Sequence, residues 1–400
     1  MTFNPSKYTM TLPTQITTAI DPEWIATTAT RLIDIPSVTM DEGAVCVCFE
    51  QALRDLGLDV DVREVTPGRN NLYARIPGTG DGPGLILNGH LDTIPIGDHA
   101  PPYRDGDRIY GRGSTDMKGG MAAMLGAARA LLQSGVQLQG DVWLTAVVGH
   151  EEVEADKDGP KAFIEDINSG RITGDRIIIV EGRDALWVMS MGSMVFTITL
   201  TSDKGGMHTQ YVPFGENPIR YVGDLIQCIH NRQQALDINA IHPLAGAERI
   251  DIGEIHAGDY FNRTPVQCTL SGTRRWSAGK TAMDILADLE HIAAPVAQAG
   301  NLTLDVKMEH DREPFDTPTD DPAVQATATA HRQITGQEAE YIGLRIVGDA
   351  NLYVHRCGVP TFYYGPSNET AHADVEWVSI DRMVSAAAVY ALSAVNYCGA

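Results

Sequence analysis

The chain is poor in positive charge and has no long apolar run. It carries 30 Lys and Arg against 52 Asp and Glu, a formal net charge of −22 over 400 residues. So acidic a surface argues against nucleic acid or an anionic membrane as partner. No stretch approaches the ~20 apolar residues of a membrane span. The opening Met1-Thr2-Phe3-Asn4-Pro5-Ser6-Lys7 lacks the apolar core of a signal peptide, so a cytoplasmic location is expected. The six cysteines are scattered, and Cys46-Val47-Cys48 has the wrong spacing for a Cys-x-x-Cys redox or zinc motif. All six are expected as reduced, mostly buried thiols. There is no Gly-x-Ser-x-Gly elbow and no Walker loop, and the glycines at 111, 113, 119 and 120 lack a dinucleotide-binding spacing.

What the chain does have is Leu87-Asn88-Gly89-His90-Leu91-Asp92-Thr93-Ile94-Pro95 directly after an apolar strand. In extended backbone, residues two apart share a face, so Asp92 can hold the imidazole of His90, the support a metal-binding histidine needs. Alone, such a pair is more often a satisfied turn than a site. Four later stretches reverse that reading. Asp116 lies in the glycine-rich Gly111-Arg112-Gly113-Ser114-Thr115-Asp116-Met117-Lys118-Gly119-Gly120. Glu151-Glu152 follows the apolar strand Asp141 to Val148, Glu181 follows Arg176 to Val180, and His372 lies in Glu369-Thr370-Ala371-His372-Ala373-Asp374. Each stands where a strand ends or a helix begins, and open α/β sheets collect ligands beyond the carboxyl ends of their strands. Two imidazoles and three carboxylates suit Zn²⁺, with Mn²⁺ or Co²⁺ as alternatives. Three carboxylates exceed what one tetrahedral ion needs, so two ions sharing a bridging carboxylate is the economical expectation.

Apolar spacing predicts helices over Pro22 to Ile33, Asp41 to Leu56 and Lys118 to Gln133, and strands at Leu58 to Val62, Asn71 to Ile76, Gly84 to Leu87 and Asp141 to Val148. This alternation predicts an α/β catalytic domain, a central sheet flanked by helices. The pattern changes near Ser193. Strands at Met194 to Leu200, Cys268 to Leu270 and Leu302 to Met308, with helices Asn217 to Ala235 and Thr281 to Ala299, make an α+β insertion that ends near Asp311. The expected division is residues 1–192 and 312–400 for the catalytic domain and 193–311 for the insertion. Pro314 and Pro318 would form the return hinge.

These features, with Arg69-Asn70-Asn71-Leu72 and Pro77-Gly78, resemble the co-catalytic metallopeptidases and deacylases, among them acetylornithine deacetylase, succinyl-diaminopimelate desuccinylase, aminoacylases and glutamate carboxypeptidase. The resemblance spans nearly the whole chain and implies a mixed central sheet. It implies that His90, Asp116 and Glu181 hold one ion and Asp116, Glu152 and His372 the other, with Asp92 orienting His90 and Glu151 as general base. The insertion would be a lid that also forms a homodimer. His208 would stabilise the oxyanion, with Asn262 near the substrate and Arg275 binding a carboxylate. Thr209-Gln210-Tyr211 after His208, Gly182-Arg183-Asp184 after Glu181, and His150 before the Glu pair depart from the family pattern. The implied activity is metal-dependent hydrolysis of an amide in an N-acyl amino acid or small peptide, next to a free carboxylate. The alternative is a hydrolase of a non-peptide C–N bond, such as an aryl amine, carbamoyl or ureido compound. A silent metal-binding dimer fits poorly with an intact ligand set and base.

Overall fold

The structure is a computed structural model that describes residues 12–97 and 101–400; the opening residues read for a signal peptide lie outside them. The chain divides into two compact units. The first comprises the chain up to Val188 with Thr317–Tyr341 and Arg356–Ala400; the second comprises Met189–Asp316 with Ile342–His355.

The first unit is built on a mixed sheet with strand order Val60–Thr66, Arg69–Ile76, Val142–Val147, Leu85–His90, Arg176–Ile179, Thr361–Tyr363 and Leu186–Ser190. The four strands from Val142–Val147 to Thr361–Tyr363 run parallel, and the outer strands join antiparallel. Leu85–His90 is buried at every position, as a strand covered on both faces must be. Helices Gly43–Asp55 and Asp158–Asn168 pack on Arg69–Ile76, and Gly119–Ser134 and Ile380–Cys398 pack on Leu85–His90.

Local chemistry sets the helix ends. Asp21 caps Pro22–Ile33 by accepting from the Trp24 amide at 3.0 Å, with Pro22 in the first turn. That helix buries Ile25, Ala29, Leu32 and Ile33 along one stripe. Gly119–Ser134 starts against the strand end that precedes Glu181. A Cβ on Gly120 would fall 1.8 Å from the Val180 carbonyl oxygen, so only glycine permits the approach.

The second unit has an antiparallel sheet ordered Arg249–Ala257, Gln267–Trp276, Gly192–Thr201, Thr303–Arg312. The two inner strands alternate buried and half-buried residues. Phe196, Ile198 and Leu200 meet Leu225, Ile285 and Leu289 of helices Pro218–Asn239 and Ala282–Ala299 in one core. The Thr281 and Asp284 side chains form a reciprocal capping box at the start of the second helix. Ile342–His355, expected in the catalytic domain, belongs to this unit. Hydrogen bonds from Met191 N to Leu344 O, Arg345 Nε to Ala245 O and Asn351 Nδ2 to Glu313 O hold it there.

The six cysteines are free; Cys46, Cys268 and Cys398 are buried and the others half-buried. Among the described residues no helix is long and apolar enough to cross a membrane.

Candidate metal centre and active site

The parallel strands deliver their carboxyl ends to one rim. Leu85–His90 ends on His90, Val142–Val147 leads to Glu151 and Glu152, Arg176–Ile179 to Glu181, and Thr361–Tyr363 to the loop bearing His372. His90, Asp116 and Glu151 each present a ligand atom within 4.8 Å of the others. His372 joins them, its Nε2 being 3.4 Å from both Asp116 Oδ2 and Glu151 Oε2. Its backbone sits at φ 62°, a left-handed conformation that costs a non-glycine residue about 1–3 kcal/mol and is tolerated where surroundings over-determine it.

The imidazole of His90 is held from both sides. Nδ1 lies 2.9 Å from the Asp92 carbonyl oxygen and 3.6 Å from its carboxylate, while Nε2 faces Asp116 Oδ1 at 3.0 Å. A carbonyl only accepts, so Nδ1 carries the proton and Nε2 is free to ligate. The Asp92 carboxylate is occupied elsewhere: it accepts the His150 and Glu151 amides at 3.0 and 2.8 Å and the Thr39 hydroxyl at 2.8 Å. The His150 ring stacks on His90, centroids 4.2 Å apart.

Asp116 is aimed by a carboxylate that sequence gave no reason to single out. Buried Glu376 accepts the amides of Gly113, Thr115 and Asp116 at 3.0, 2.8 and 3.1 Å and pairs with Arg112 at 2.7 Å. The Thr115 hydroxyl also reaches the Thr370 hydroxyl at 2.8 Å, tying the Asp116 loop to the His372 loop. The Asp116–Met117 peptide is cis.

The electrostatics favour a cation. Burial alone would lower the pKa of His90, yet the carboxylates of Asp116, Glu151 and Asp92 outweigh it and raise the imidazole well above its ordinary value. Bonds to Asp116 and Glu151 raise His372 to about 10. Burial would raise Asp116, but His372 and His90 hold it below the ordinary carboxylate range. Two imidazoles and two carboxylates, with no thiolate, are donors suited to Zn²⁺ or a similar divalent ion. Glu152 and Glu181 stand on the same rim outside this tight cluster. Glu152 begins the short turn Val153–Ala155, and Glu181 follows Val180, whose amide binds the Asn88 carbonyl at 2.9 Å.

Residues 86–396 match the model of peptidase family M20/M25/M40. The chain belongs to this family. It is thus a metal-dependent hydrolase of the peptidase type. The fold of this M20 chain is similar to that of aminopeptidase PepT from Bacillus cereus, with a TM-score of 0.79 and 19% identity over 95% of this chain and 99% of that one. A tripeptidase from Staphylococcus aureus gives 0.73 and 20% over 94% and 98%. The Bacillus subtilis YXEP protein, a dinuclear metal binding peptidase, gives 0.70 and 17% over 94% and 97%.

The other three site residues expected for this M20 chain lie in the second unit. His208 and Asn262 are neighbours, the His208 Nε2 being 3.3 Å from the Asn262 amide group. His208 Nδ1 accepts the Gln210 amide at 3.2 Å. Arg275 lies on Gln267–Trp276, half-buried; burial lowers the pKa of its guanidinium, and its Nη1 has no hydrogen-bond partner among the described residues.

Proposed function

We propose that the chain hydrolyses the amide of a small peptide or N-acyl amino acid beside a free carboxylate. The supporting observation is the convergence of His90, Asp116, Glu151 and His372 at the carboxyl ends of the parallel strands. The aminopeptidase and tripeptidase among its structural neighbours favour a peptide. His90, Asp116 and Glu181 would hold one Zn²⁺ and Asp116, Glu152 and His372 a second, Asp116 bridging, with Mn²⁺ or Co²⁺ as substitutes. Bound divalent ions supply carbonyl polarisation and a water acidic enough to lose a proton at neutral pH. Glu151 would act as general base, taking a proton from the attacking water and passing it to the leaving nitrogen. Asp92 fixes the His90 ring through its carbonyl and the Glu151 backbone through its carboxylate. His208 would donate to the oxyanion, and Asn262 would line the substrate beside it.

The test is a panel of dipeptides, tripeptides, N-acetyl and N-succinyl amino acids, aryl amides and ureido compounds, with and without added Zn²⁺, Mn²⁺ or Co²⁺. Turnover confined to aryl or ureido compounds would replace the peptide reading with hydrolysis of a non-peptide C–N bond.

A guanidinium that is half-buried with a free Nη1 supports a carboxylate at Arg275. Arg275→Ala is expected to raise KM for carboxylate substrates by about 10–100-fold, the cost of roughly 1.5–3 kcal/mol for a charged hydrogen bond. Equal turnover of an amide-capped analogue by the unmodified enzyme would remove this role. We further propose a cytoplasmic homodimer formed through the second unit; a fully active monomer in sedimentation would remove the dimer.

A further inference from the structure

Five successive amides between the strand Val142–Val147 and the short turn Val153–Ala155 are each taken by a side chain. Val148 N donates to Asn71 Oδ1 at 3.1 Å and Gly149 N to Glu42 Oε1 at 3.0 Å. His150 N and Glu151 N donate to the two Asp92 oxygens at 3.0 and 2.8 Å, and Glu152 N to Thr39 Oγ1 at 3.4 Å. Among the described residues these five amides have side-chain rather than ladder or helix acceptors, drawn from three other places in the chain. All four acceptor residues are buried.

The acceptors are themselves fixed. Arg69 meets Glu42 with Nε and Nη2 at 2.7 and 3.0 Å, a two-pronged contact that leaves neither group free to turn. The same guanidinium reaches Asp158 and the Thr66 hydroxyl. The bond to Glu42 raises the Arg69 pKa above its ordinary value. Thr39 donates to Asp92 Oδ2 at 2.8 Å while accepting Glu152 N. Gly149 has φ 66°, and a Cβ there would stand 2.1 Å from Asp158 Oδ1 and 2.7 Å from Arg69 Nη2. The turn lies directly against the ion pairs.

We infer that Glu42, locked by Arg69, and Thr39 are positioning residues for Glu151 and Glu152. They fix the backbone so that the two adjacent carboxylates point in different directions, one toward the attacking water and one toward a metal. The inference rests on the roles proposed for those two glutamates. Neither Glu42 nor Thr39 touches the reacting atoms. Their effect is geometric, and displacing a catalytic group by about 1 Å can cost on the order of 10²-fold in rate.

The test uses the full chain loaded with Zn²⁺ and the panel compound it turns over fastest. Glu42→Gln keeps an oxygen for Gly149 N but turns an NH₂ toward the donors of Arg69. Thr39→Val is isosteric and removes both hydroxyl bonds, so it remains informative if Glu42→Gln does not fold. Arg176→Gln, which breaks the ion pair to Asp321 at the opposite end of the sheet, is the control for stability alone. Each positioning variant is expected to lower kcat by roughly 10–10²-fold, with little change in KM and faster hydrogen exchange at amides 148–152. The control at matched thermal stability should change none of these.

Wild-type kcat in both variants would overturn the inference. So would an equal loss of kcat in the control, or unprotected amides 148–152 in the wild type. Full activity in Glu151→Gln would instead refute the proposed function. An inactive Glu151→Gln beside fully active Glu42→Gln and Thr39→Val would refute the positioning role alone.

Discussion

Glu151→Gln is expected to lower turnover by about 10²–10⁴-fold, the range of a missing general base, while metal content stays as in the wild type. The amide keeps the size and one acceptor of the carboxylate but takes no proton at neutral pH. Glu151 stands within ligand distance of His90 and Asp116, and its Oε2 is 3.4 Å from His372. Its position alone would therefore also allow a ligand role, and the paired variant decides between the two. Glu152→Gln should weaken or remove one ion together with activity. Metal analysis and rates measured on both proteins would reverse the roles if Glu151→Gln lost metal and Glu152→Gln kept it. Full rate in both would place the active site elsewhere.

Asp116→Ala is expected to be the most damaging single change, abolishing turnover and releasing both ions. Its two carboxylate oxygens face different imidazoles, Oδ1 toward His90 at 3.0 Å and Oδ2 toward His372 at 3.4 Å, the arrangement a bridging ligand requires. A pH signature accompanies the loss. In the metal-free protein the His372 pKa is raised from 6.5 to about 10 by Asp116 and Glu151. A raised folded-state pKa means that this stabilisation is complete below pH 6.5 and disappears as pH rises through about 10. Melting temperature against pH, measured in chelator, should therefore fall less steeply across that window in Asp116→Ala than in the wild type. Identical slopes would show that His372 does not depend on Asp116.

The candidate site was legible because its proposed ligands sit at strand ends, where short motifs and apolar runs lie side by side in the chain. His90 at the end of Leu85–His90 and Glu151 after Val142–Val147 were placed by that rule, and the helix Pro22–Ile33 by its apolar stripe. Its supporting residues were not legible. Glu42 is 27 residues from Arg69, and its carboxylate becomes informative only when both are buried together. Glu376 reads as one acid among several after His372, although it holds three amides of the Asp116 loop. Helix Asp158–Asn168 was not among the predicted elements; Gly159 and Pro160 stand in its first turn, where proline is well tolerated. The edge strand Arg249–Ala257 was missed because most of its positions are exposed, which removes the alternation that betrays a half-buried strand.

Elemental analysis of protein purified without chelator, coupled to the rate before and after chelation, tests the central claim most directly. The expected result is one or two divalent ions per chain, activity that vanishes on chelation, and recovery with Zn²⁺, Mn²⁺ or Co²⁺. A protein free of divalent metal whose activity is indifferent to chelator would contradict it.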